Sequence, residues 1–128
     1  MAWHAEADAY LAGLSGAVGI LAEAVHRVFA TLGCASYVKT IYVGCEIDGK
    51  MAAAANSHAD YVEVALALPE DVESDLLVDA THLTWRTLPV AALVRRTDDL
   101  PLFESLAADA CARIRSRAYD VHRDKSSL

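Results

Sequence analysis

Lys39, Tyr42, His82, Trp85 and Arg86 are residue types that together could hold a small anion. Lysine and arginine attract carboxylate or phosphate, arginine through a planar fork, and tyrosine and tryptophan supply flat apolar walls. Each falls at or near a strand end in the reading below, so one cleft could gather them. The competing reading leaves Tyr42 and Trp85 on the core rim, Lys39 in solvent, and Arg86 paired with Asp79. His58 and His82 are the candidate metal ligands, with Asp60, Glu63 and Asp79 as nearby carboxylates. Imidazole with carboxylate suits zinc, iron or manganese. Asp60 and Glu63, however, stand three apart and would not share a face of a strand. Local hydrogen bonding in turns is the plainer expectation for both, and nothing in the sequence calls for a cofactor. A nucleophilic arrangement would need His82 as base, Asp79 as its orienting partner, and Cys45 or Ser57 as nucleophile. There is no GxSxG elbow to support it, so no catalytic residue is assigned.

Composition narrows the classes further. The chain has 128 residues, 55% of them hydrophobic, and a formal net charge of −7. That length suits a single domain, 1–128, that can bury a core without a disulfide or metal staple. The negative balance disfavours nucleic acid, whose binding depends on cations that neutralise phosphates. No uncharged apolar run approaches the roughly 18 residues of a membrane span, and the acidic start is unlike a secretory signal. Cys34, Cys45 and Cys111 are an odd, widely spaced set with no CxxC pair. They read as reduced, buried thiols in a cytoplasmic protein. Charge is unevenly placed. No Lys or Arg occurs in residues 51–85, which carry seven acids, whereas Arg113, Arg115, Arg117, Arg123 and Lys125 crowd the C-terminus. Solvation of both runs is the default, and complementary ends that orient a homo-oligomer or a partner are the functional alternative.

The elements that must position these residues follow from periodicity. Leu11, Leu14, Val18, Leu21, Val25, Val28 and Leu32 recur at steps of three and four, the stripe of an amphipathic helix. Gly13, Gly16 and Gly19 allow close approach or mark a break near Ser15, and Gly33 is a natural C-cap. Residues 37–47 alternate as a first strand, and Asp48-Gly49 signals a two-residue hairpin into a second over 50–57. Residues 61–68 form a third strand, ended by Pro69. Residues 70–83 form an acidic connection with Leu76, Leu77 and Val78 tucked on the core. Residues 85–95 form a fourth strand, with Leu88, Val90, Ala92 and Val94 inward and Pro89 implying an edge or a bulge. Thr97-Asp98-Asp99 starts a last helix with Pro101 in its first turn. Its apolar stripe is Phe103, Leu106, Ala107, Ala110, Ile114 and Ala118, and residues 122–128 are a fraying tail. The expected fold is α+β: a four-stranded antiparallel sheet with an N-terminal and a C-terminal helix packed on one face.

The strand-turn-strand block Val38-Lys39-Thr40-Ile41-Tyr42, then Lys50-Met51-Ala52-Ala53-Ala54, then residues 61–68, resembles an uncharacterised bacterial family, domain of unknown function 5655. The likeness continues through His82 into residues 85–94 and the final helix. It implies a small α+β module of a kind that sometimes accompanies nuclease-like domains, with no established activity. It also places the family's lysine at the start of the first strand on Lys39. The family's basic stretch after the second strand falls on Asn56, Ser57 and His58, which have lost that basic character.

Two functional expectations follow. The first is a non-enzymatic binding or interaction module, self-associating as a homodimer through the exposed part of the first helix or through a sheet edge. The alternative is a small His-dependent or metal-dependent enzyme acting on an anionic small molecule.

Overall fold

The computed structural model describes residues 16–38, 42–80 and 87–116. Helix α1 (Gly16–Thr31) precedes strands β1 (Ala35–Val38), β2 (Val43–Ile47), β3 (Lys50–Ser57), β4 (Val62–Leu66), β5 (Leu77–Asp79) and β6 (Val90–Val94). A 3₁₀ turn (Thr97–Asp99) leads into helix α2 (Leu100–Arg115). The fold is α+β, and its sheet has six strands in the order β1-β2-β3-β4-β6-β5, every pair antiparallel.

Local chemistry explains the joints. α1 ends in a Schellman cap: Cys34 N–H donates to the Phe29 carbonyl, Gly33 N–H donates to Ala30, and Gly33 takes φ +86°. Asp48 and Gly49 both have positive φ, 53° and 77°, as the type I′ turn between β2 and β3 requires. Asp99 fixes the entry to α2, its Oδ2 accepting from the Arg95 and Arg96 N–H groups at 3.0 and 3.1 Å. Pro101 sits at the helix start, where a missing N–H costs nothing.

The core lies between the helices and the sheet. Val18, Leu21, Val25 and Phe29 of α1 are buried, as are Phe103, Leu106, Ala107, Ala110 and Ile114 of α2. The Phe29 and Phe103 rings meet edge to face at 5.7 Å, joining the two helices. Truncating either ring would cost about 3–5 kcal/mol.

The structure corrects the expected sheet in three places. Residues 37–47 are not one strand. β1 and β2 are separate and pair antiparallel, with Val38 opposite Val43. The acidic connection contains the short strand β5, whose residues satisfy their backbone by pairing with β6. β6 is therefore interior, between β4 and β5, and not an edge. Pro89 is tolerated because it lies one residue before the strand, where its carbonyl accepts from Ala80 N–H at 3.0 Å. A bulge does occur, but between β2 and β3 at Cys45/Glu46. The Asp48-Gly49 hairpin and the strand 50–57 are present as expected. Leu11 and Leu14, Ala118 and the tail 122–128 lie outside the described residues.

Candidate functional site

Polar chemistry concentrates where β3 passes into β4. Register places Asn56 opposite Glu63, and Glu63 opposite Leu93 of β6. Glu63 is thus a carboxylate in the middle of the sheet, only 6% exposed. The turn that joins the strands is closed by His58 N–H donating to the Tyr61 carbonyl at 2.8 Å. It folds His58 back so that its Nε2 lies 3.0 Å from Glu63 Oε1. A carboxylate can only accept here, so Nε2 carries the hydrogen, and in the neutral ring Nδ1 keeps its lone pair. The His58 ring stacks on Tyr61 at 4.5 Å and 13°, and the Arg95 guanidinium lies over the Tyr61 ring, 6.0 Å from its centroid. Beside this group, Asn56 Oδ1 and Ser57 Oγ are buried with no hydrogen-bond partner among the described residues. An imidazole oriented by a buried carboxylate is suited to proton transfer or to a single metal contact through Nδ1.

A second aromatic pair lies at the β1–β2 end. Tyr37 and Tyr42 meet edge to face at 6.0 Å. Tyr37 lies flat over Gly44, where an added Cβ would overlap its ring. Burial, and then a hydrogen bond with Tyr42, push the Tyr37 hydroxyl above its ordinary range.

The third feature is a groove of about 490 Å³ on the outer side of the two helices. Ala24, Val28 and Leu32 of α1 and Leu100 and Ala108 of α2 line it, with Arg27 on one wall and Glu104 on the other. Ile20, four residues before Ala24 on the same helical stripe, is 64% exposed.

Of the anion-holding set, Tyr42 is described and is engaged with Tyr37; Lys39, His82, Trp85 and Arg86 lie outside the described residues. Of the metal pair, His58 contacts Glu63 and His82 lies outside the described residues. No group of three or more metal-ligating side chains occurs among the described residues. Cys45 is fully buried and burial pushes its thiol up, the reverse of what an attacking thiolate needs. The His58–Glu63 contact has a sequence signal: five residues spanning a tight turn become neighbours across a hairpin. Spacing rules for a single strand miss it. No helix among the described residues is long and apolar enough to cross a membrane.

No family model, curated protein or solved structure matches this chain.

Proposed function

We propose that this protein is a non-enzymatic interaction module that pairs with a second copy of itself through the outer groove of α1 and α2, the two helices lying on one face of the sheet. The observation that carries the reading is the groove itself, apolar along its floor and continued by the exposed Ile20. Its walls are oppositely charged, Arg27 on α1 and Glu104 on α2. A two-fold axis through the groove brings each Arg27 to the partner's Glu104, so the surface is self-complementary. Within one chain Arg27 already reaches Glu23 at 2.6 Å, an exposed contact that contributes little and is readily exchanged. The β5 edge is a poorer interface. It is three residues long and flanked by Glu70, Asp71, Glu73 and Asp75, charges that repel another strand.

The test is light scattering coupled to size exclusion over a range of concentrations. Wild type should reach the dimer mass, and Ile20→Asp should remain monomeric with an unchanged circular dichroism spectrum. Arg27→Glu should weaken pairing, and adding Glu104→Arg should restore it. A strict monomer at every concentration would sink the proposal.

The His58–Glu63 pair favours a second reading, a small His-dependent enzyme acting on an anionic small molecule. Nδ1 of His58 would be the base, with Arg95, over the Tyr61 ring that His58 stacks on, as a cation for the anion. Lys39 and Arg86 would be further anion-holding groups, and Tyr42 and Trp85 walls. Thermal-shift screening of wild type and His58→Ala against anionic metabolites tests it, and elemental analysis of the purified protein tests the metal variant. A ligand whose shift survives in His58→Ala would exclude His58 from the site.

A further inference from the structure

Two cysteines 77 residues apart in sequence meet in the core. Cys34 follows the α1 cap, and Cys111 lies near the end of α2; both are buried. Their sulfurs are 3.6 Å apart. Closing that gap to a bond of about 2.05 Å needs a movement of about 1.5 Å, small for side chains carried by two separate elements. Either thiol can donate across this contact; a thiolate on Cys111 would accept from Cys34, and that hydrogen bond draws the Cys111 thiol down and pushes the Cys34 thiol up. Arg115, one turn further along α2, draws Cys111 the same way, against the opposing effect of burial. Arg115 is itself exposed, donates to the Leu32 carbonyl, and would touch a Cβ placed on Gly33 at 3.1 Å.

We infer that Cys34 and Cys111 are a modification site: an oxidisable dithiol that closes into a reversible intramolecular disulfide and ties the α1 cap to α2. A hydroperoxide is the oxidant. The Cys111 thiol gives its proton to solvent, its thiolate attacks the peroxide, the O–O bond breaks, and a sulfenic acid forms while the leaving hydroxide takes up a proton as the first water. Cys34 then attacks the Cys111 sulfur, the S–O bond breaks, and the Cys34 proton leaves in a second water. Two thiols and one hydrogen peroxide give one disulfide and two waters. Cys45 is the poorer nucleophile for the first step, because burial pushes its thiol up. The inference does not depend on the groove pairing two copies.

The sequence makes the test direct. Cleavage after Lys and Arg puts Cys34 in peptide 28–39, Cys45 in 40–50 and Cys111 in 97–113. Folded wild-type protein is treated with a small excess of hydrogen peroxide, alkylated in denaturant and digested. The expected product is a cross-link between peptides 28–39 and 97–113, with 40–50 recovered alkylated. The cross-link should disappear with dithiothreitol, and the oxidised protein should melt at a higher temperature than the reduced one. A cross-link that includes 40–50, a Cys111 sulfinic acid in place of the cross-link, or full alkylation of all three thiols would each overturn the inference.

Discussion

Gly44 offers a test whose sign is set by one neighbour. Glycine in a strand normally weakens it, and replacement by alanine gains about 0.5–1 kcal/mol where the site has room. Gly44 has none on one face: the Tyr37 ring occupies the volume an alanine Cβ would fill. Gly44→Ala must therefore push Tyr37 off β2, away from its edge-to-face contact and its hydrogen bond with Tyr42. Forcing extra volume into a packed site costs about 1–3 kcal/mol. Set against the backbone gain, the net loss should be about 1–2 kcal/mol, or roughly 4–8 °C in Tm for a chain of this length. With Tyr37→Ala already in place the obstruction is gone, and Gly44→Ala should now stabilise by about 0.5–1 kcal/mol. The coupling energy of the double-mutant cycle is then about 1.5–3 kcal/mol. Urea unfolding of all four proteins, followed by circular dichroism, measures it. If Gly44→Ala is neutral or stabilising in wild type, or costs as much with Tyr37→Ala as without it, the close approach of ring and strand does not hold.

Three further outcomes are expected. Asp99→Ala should destabilise by about 1 kcal/mol in urea unfolding, because two N–H groups at the entry to α2 lose their acceptor, and Asp99→Asn should recover part of it. His58→Ala should cost about 1–2 kcal/mol by leaving the buried Glu63 without its imidazole contact, and Glu63→Gln in the same chain should recover part of that loss. His26 is buried in α1, its Nδ1 donating to Ala22 at 2.5 Å, and burial lowers its pKa below the ordinary value. The unfolded chain therefore takes up that proton first as pH falls. Stability from this site is complete above about pH 6.5 and is lost below it, down to the depressed folded pKa. Unfolding measured between about pH 7.5 and 5 should show a shallower pH slope in His26→Gln than in wild type.

How much of this was legible in the sequence varied with the range of the interaction concerned. The Asp48-Gly49 turn, the Gly33 cap and the apolar stripe of α2 are local, each set by a few adjacent residues, and each is present. The break between β1 and β2 was hidden because residues 39–42 contain no Gly, Pro, Asn or Asp to signal a turn. β5 was hidden because three residues within an acidic run carry no periodic signal, and only pairing with β6 makes them a strand. Pro89 pointed to an edge because its missing N–H was weighed as though it lay inside the ladder, whereas the ladder begins at Val90. Of the candidate ligand residues, only Tyr42 and His58 fall among those described, and what engages them, Tyr37 and Glu63, comes from other strands or across a turn. Cys34 and Cys111 show the limit most clearly, since no rule of spacing joins thiols 77 residues apart.

The alanine run of β3 shows which influence decides when propensity and context disagree. Alanine is a poor strand former and a good helix former, yet Lys50–Ser57 is the longest strand among the described residues, held by its backbone pairing with β2 and β4. Register supplies the reason small residues are needed there. Across the sheet Tyr37, Gly44, Ala54, Ala65 and Ala91 stand in one row, each opposite the next, and the three alanines are all buried. The alternate row holds Val43, Ala55, Val64 and Ala92, buried as well. All five residues of β4 are buried, so its two faces are both covered and the polar-apolar alternation of a half-solvated strand does not apply. A strand buried on both faces, as β4 is, selects side chains by volume before it selects them by strand preference. Larger residues at Ala54 or Ala65 would force the neighbouring rows apart, which is the cost that Gly44 avoids beneath Tyr37.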